Sequence, residues 1–266
     1  APDGISVVSD FGRIDALPRQ RENVSYGLMQ SGTSTSRTLL SQNTQATVRI
    51  PTAADSALGT SWTEPSFDDS GWLDVAIGVG YDEDSTYIPE FGAGGNLGEE
   101  LNGVNTSLYL RIPFQLTEAS SVSELSLRMK YDDGFAAYLN GELIESANSP
   151  AEGDLSYDSE ATSNHSDSEA LVYQSFDLNN RIQLLRNGTN ILAIHGLNDG
   201  LNSSDMLISP ELNSVQITNP ETGAPGFFSS PTPGAQNGES FAGFVEDPAF
   251  SVDRGFFADQ FQLQLS

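Results

Sequence analysis

The chain has 266 residues, with 37 acidic against 11 basic side chains, and the resulting net charge of −26 excludes charge-driven binding to nucleic acid or to an anionic membrane surface. It contains no cysteine, which excludes disulfides, thiolate catalysis and cysteine-ligated zinc, so a hydrophobic core must hold the fold together. No run of about 18 apolar residues offers a membrane-inserting helix, and the cysteine-free, Ser/Thr/Asn/Gly-rich, acidic composition leans toward a secreted or cell-surface bacterial module.

Residues 5–8 open the chain as a short strand candidate. Its first residues lack the basic and apolar regions of a signal peptide, and both ends read as cuts within something longer. Five of the eleven basic residues fall in the first fifty, so residues 1–44 read as a linker or the tail of a preceding module, with the Ser/Thr-rich stretch 31–44 as loop. Residues 46–50 alternate and start the main domain. Both tryptophans, Trp62 and Trp72, follow within one segment; exposed they would form a platform for a sugar ring, buried they would dominate a core, and burial is the favoured reading. Residues 75–81 form an apolar strand. Residues 81–98 make a long connection whose acids Asp82, Glu83 and Asp84 lack the full spacing of an EF-hand, so a solvated acidic loop is expected.

Residues 108–116 and 125–131 alternate with period two and read as half-buried strands. Tyr131-Asp-Asp-Gly-Phe135 then has the composition of a tight turn, and 135–139 a strand ending at the turn pair Asn140-Gly141. The adjacent carboxylates Asp132 and Asp133 either accept hydrogen bonds from turn amides or hold Ca²⁺ at a sheet end where loops converge. Residues 148–169 are a second acidic loop, 172–178 a strand, 179–185 a helical turn or short strand, 191–197 a central strand, and 206–212 a final strand. From 216 to 245 Pro and Gly density marks a linker, and 246–266 looks like the start of another β domain.

Strands at such intervals with no long 3.6-residue periodicity argue an all-β sandwich. Only two histidines are present: His195, in the most apolar strand, is expected to be a buried neutral imidazole, and His165, in the acidic loop, to be solvated. No Gly-x-Ser-x-Gly, His-Glu-x-x-His, P-loop or dinucleotide motif appears, so nucleophilic and metal-hydrolase chemistry have no visible carrier, while among 37 acidic residues a carboxylate pair for glycoside hydrolysis stays open.

The order Trp62…Phe67-Asp68-Asp69-Ser70…Trp72, Leu108-Tyr-Leu-Arg111…Phe114, Asp132-Asp133-Gly134…Asn140-Gly141 and Asn187-Gly188-Thr-Asn190 resembles the galactose-binding-like jelly roll of the sugar-binding domain in the β-galactosidase and β-glucuronidase family. The resemblance covers residues 45–215. It implies a jelly-roll β-sandwich in which the first motif is a core and turn feature and Asn140-Gly141 caps a hairpin. Asp132-Asp133 also resembles the paired-aspartate loop of PA14-type lectin domains, which implies a Ca²⁺ that coordinates a glycan. The stretch 230–238 resembles linkers of large secreted multidomain bacterial proteins, and 250–257 is similar to the first strand of a fibronectin-like domain.

The resulting expectation is a non-catalytic carbohydrate-binding module, with neighbouring domains of its parent chain as partners and an extracellular polysaccharide as ligand. Loop placement selects Tyr81, Tyr87, Phe91, Asn198 and Asp199 as ligand contacts and Asp132 with Asp133 as a calcium site. The competing expectation is a structural spacer or adhesion module that binds no glycan.

Overall fold

The computed structural model describes residues 24–229 together with 240, 241, 243 and 244. The expected strand at 5–8, residues 230–239 of the linker and the domain start at 246–266 lie outside those residues. The chain divides into two compact units, Ser34–Thr218 and a second one of Ala1–Thr33 with Asn219–Ser266.

The larger unit is an all-β sandwich. The strands are β1 (Ser25–Leu40), which enters this unit at Ser34, β2 (Gln45–Arg49), β3 (Leu73–Ala76), β4 (Val79–Asp82), β5 (Ser107–Leu116), β6 (Val122–Asp132), β7 (Gly134–Leu139), β8 (Glu142–Ala147), β9 (Gln174–Asp177), β10 (Gly188–Leu197) and β11 (Asp205–Phe228), which leaves it at Thr218. One sheet has the order β1-β11-β6-β9 with β4 also on β11; the other is β3-β2-β5-β10-β7-β8. Among the described residues helix is confined to segments of three to six residues, α1 (Gly98–Leu101) and α2 (Asp167–Ala170) among them.

Two expectations are corrected at the flanks. Residues 31–40, expected as loop, belong to β1, and residues 216–228, expected as linker, continue β11. The physical reason is shared: a strand can gain its backbone hydrogen bonds from a neighbour without an apolar alternation to announce it. Asp132-Asp133-Gly134 is not a hairpin turn either. β6 ends at Asp132 in one sheet and β7 starts at Gly134 in the other, so the chain changes sheets across one residue. The run 75–81 is likewise divided between the sheets at Gly78, whose φ of 96° favours glycine and whose added Cβ would lie 2.0 Å from the Glu90 carbonyl oxygen.

Alternation decides what each sheet buries. Leu108, Leu110, Phe135, Ala137, Leu192 and Ile194 of the six-stranded sheet pack against Leu125, Leu127, Met129, Ile208 and Leu212 of the other to form the interior. The intervening residues Tyr109, Ala136, Tyr138, Ile191 and Ala193 face outward and are covered by Trp62, which stacks on Tyr109 with ring centroids 4.2 Å apart. Burial of Trp62 agrees with the expectation, while Trp72 stays half-buried at the margin, 6.1 Å from Trp62.

Arg111 explains why this cap stays in place. It is 2% exposed, its Nε donates to Asp69 Oδ2 at 2.8 Å, and its Nη1 donates to the carbonyls of Trp62 and Glu64. One guanidinium thus satisfies a carboxylate and the carbonyls of a loop that has no strand partner. At the far end of the same sheet Asn140 and Gly141, with φ of 52° and 97°, turn β7 into β8 as expected. Asn140 also donates to Asn190 Oδ1 and accepts from the Ile191 N–H, which ties the hairpin to β10.

Candidate functional site

The residues selected from the sequence do converge, at the sandwich end where β4, β6, β10 and β11 meet, but most of them face inward. Tyr81 and Tyr87, expected as exposed loop aromatics, are 2% and 0% exposed. Tyr81 donates from its hydroxyl to the Ser203 carbonyl and accepts from Asn198 Nδ2, while Tyr87 donates to Asp132 Oδ2 at 2.6 Å. Asn198, 1% exposed, also donates to the Asp205 carbonyl. Phe91 is half-buried against Tyr87, Ala170 and Leu207. Of the five expected ligand contacts, Asp199 alone is exposed, and its backbone N–H donates to Asp133 Oδ2 at 2.8 Å. The reason is steric: rings of this size in connections that fold back over a sheet end are used to close it.

Asp132 and Asp133, joined by a cis peptide bond, are 1% and 0% exposed. Burial, reinforced by the charges of Asp133 and Asp205, pushes Asp132 up to about 8, although the Tyr87 hydroxyl acts in the opposite sense. Burial and the charge of Asp167 push Asp205 up to about 6. Both Asp133 oxygens accept backbone N–H groups, one from His165 and one from Asp199, each at 2.8 Å. These oxygens are turned to hydrogen-bond donors, and among the described residues no group of three or more His, Cys, Asp or Glu is placed to hold a metal ion. Asp82 and Asp84 likewise cap the N–H groups of their own loop.

The histidines divide. His195 is 3% exposed, bonded to Ser107 Oγ at 2.9 Å, and burial pushes it down to about 3, so it is the neutral buried imidazole expected. His165 is not simply solvated: its ring stacks on Tyr131 with centroids 4.2 Å apart and Nδ1 lies 2.8 Å from the Tyr131 carbonyl oxygen.

The network holds the loop 198–205 in one shape, and that loop borders an open concavity of about 620 Å³ lined by Glu160, Asp199, Asn202, Ser203 and Ser204. A second concavity lies elsewhere, on the face of the five-stranded sheet that points away from the core. Leu125, Leu127 and Met129 of β6 face inward, which leaves Glu124, Ser126, Arg128 and Lys130 outward. The register places Asn213 and Asp177 opposite Ser126, and Glu211 and Ser175 opposite Arg128.

The end of this face nearest Asp132 is covered by Tyr87, Ala170 and Phe91 over Leu207. The rest is open, and its side chains are fixed by one another. Thr38 donates to Asn213 Oδ1 at 2.7 Å, Asn213 Nδ2 and Arg128 Nη1 both donate to Glu211 Oε1 at 2.6 Å, and the Arg128 guanidinium lies 4.3 Å from the Tyr173 ring centroid. A groove of about 470 Å³ beside this chain is bordered by the polar Ser36, Glu124, Ser126, Ser175, Asp177 and Asn213 and floored by the apolar Leu125, Phe176 and Val215. None of these residues was selected from the sequence. The polar positions of the alternating run 125–131 marked a solvent face, but only cross-strand register shows what stands beside them.

Comparison with known proteins yields structural likeness alone. A scan against protein-family models gives no match. A search of curated proteins gives none either. Among solved structures the chain is similar to a β-glucuronidase of Bacteroides uniformis, with 13% identity over 68% of this chain and 18% of that one and a TM-score of 0.42. It is also similar to a β-glucuronidase of an uncultured Clostridium sp., with 11% identity over 69% and 29% and a TM-score of 0.40, and to one of Ruminococcus gnavus, with 10% over 71% and 30% and 0.39. The chain spans less than a third of each.

Proposed function

We propose that this chain is a non-catalytic carbohydrate-binding module of a secreted or surface multidomain protein, and that it meets its ligand on the open face of the five-stranded sheet. The observation that carries the reading is the fixed chain Thr38, Asn213, Glu211, Arg128 and Tyr173 beside a groove of about 470 Å³. Sugar hydroxyls are bound by hydrogen-bonding side chains held in place beforehand, because little further conformational entropy is then lost on binding. The groove volume lies in the range of small-molecule sites, about 300–1,000 Å³.

At the groove itself a non-catalytic role is supported: Asp132 and His195 are enclosed at 1% and 3% exposure, and neither borders it. No helix of the described residues is long and apolar enough to cross a membrane.

The test is thermal unfolding of the chain against a panel of soluble polysaccharides. A ligand that binds only the folded state raises the midpoint, by a free energy that grows with the logarithm of its concentration. A midpoint that rises with one polysaccharide and less so in Asn213→Ala supports the reading. No shift across the panel refutes it.

A further inference from the structure

We infer that the ligand of the open sheet face is a neutral polysaccharide bound as an extended chain across the strands, an inference that rests on the binding role proposed above. Three observations carry it. The first is the state of the cations. Arg128 is paired with Glu211 at 2.6 Å and Lys130 with Glu90 at 2.8 Å, so each cation of this face already has its carboxylate. A sugar carboxylate or sulfate arriving here finds no unpaired positive charge, and a new pair would require breaking an existing one.

The second is the charge that is left over. Glu124 and Asp177 border the groove, both are exposed, and neither appears in an ion pair of the described residues. They present acceptors to hydroxyl groups and repel anions, on a chain whose net charge is already −26. Sugar hydroxyls donate well to carboxylates, since a hydrogen bond to an ionised acceptor is stronger than one between neutral groups.

The third is shape. The groove is lined by Ser36 of β1, residues 213–215 of β11, 124–126 of β6 and 175–177 of β9, so it crosses four neighbouring strands over about 15 Å at ~4.8 Å per strand. Such a strip contacts successive rings of a chain, where an enclosed pocket would hold one.

The experiment is electrophoresis of the chain through gels containing a neutral polymer, galactomannan or xyloglucan, or an anionic one, alginate or polygalacturonate, each at low and high salt. Neutral polymers are expected to retard the chain equally at both salts, because uncharged contacts are not screened. Calorimetry with oligosaccharides of the retarding polymer is expected to show affinity rising with chain length until the strip is covered. Asn213→Ala should weaken binding about tenfold through loss of the hydrogen bonds that fix Glu211 and Thr38. Asn202→Ala, on the loop concavity, should leave binding unchanged, and both variants should still unfold in a single cooperative transition without ligand.

Retardation by anionic polymers alone, weakened by salt, would overturn the inference and leave the carbohydrate-binding role standing. Affinity independent of length, or loss of binding in Asn202→Ala with none in Asn213→Ala, would also overturn it. No retardation by any polymer would instead remove the binding role on which the inference rests.

Discussion

Replacing Asp132 with asparagine isolates the buried acid at the centre of the sandwich end. With Asp132 pushed up to about 8 by burial, the folded protein keeps this carboxyl protonated at neutral pH, whereas the unfolded chain ionises it near 3.8. The folded value is raised, so the stability this group contributes is fully present below its ordinary value and is lost as pH rises toward 8. One proton of difference corresponds to a slope of about 1.4 kcal/mol per pH unit. Asparagine mimics the neutral acid, since its carbonyl still accepts the Tyr87 hydroxyl, and it does not titrate. Urea unfolding of both proteins at pH 6.0 and 7.5 therefore has a definite expectation. The variant should gain about 2 kcal/mol on the wild type across that interval, and taking the difference cancels His195, which titrates in both. A difference that does not change with pH would refute the reasoning. So would a variant that loses stability at both pH values and a wild type whose midpoint falls on adding EDTA, because both mean that Asp132 is ionised in the fold and facing a cation.

Arg111→Met should cost about 3–5 kcal/mol in urea unfolding, because the Asp69 carboxylate and the carbonyls of Trp62 and Glu64 lose their donor together; a cost under ~1 kcal/mol would show that water replaces it. Gly141→Ala should cost about 1–3 kcal/mol, since φ is 97° and the new Cβ would lie 2.5 Å from the Glu64 carboxylate oxygen, a cost that shortening the neighbour in Glu64→Ala should partly relieve.

Most strands of the sandwich were legible because alternation reports which positions are buried, and 108–116, 125–131 and 191–197 alternate or run apolar as a core demands. The Asn140-Gly141 turn was legible because its backbone requires those residues. β1 was not legible: Ser34 to Thr38 carry no apolar signal, and that stretch lies beside β11 in the sheet. The sandwich end shows a different limit. Composition drew attention to Tyr81, Tyr87, Asp132, Asp133 and Asn198, yet a polar or aromatic residue in a connection looks the same whether it greets a ligand or closes a core. Which one happens depends on where the loop folds back, and that is a tertiary fact. The open sheet face was hidden for the same reason, since Asn213, Ser126 and Asp177 become neighbours only through pairing of strands far apart in the chain.

The aromatic cap on the other sheet has a practical consequence. Both tryptophans of the chain belong to it, and Trp62 is stacked on Tyr109 and held by the loop that Arg111 fastens. Intrinsic tryptophan emission therefore reports from the opposite side of the molecule to the groove. Denaturation will be bright in that signal, as the cap opens to water, while a glycan settling on the five-stranded sheet will leave it dark, so a fluorescence titration without change is no sign of an empty groove.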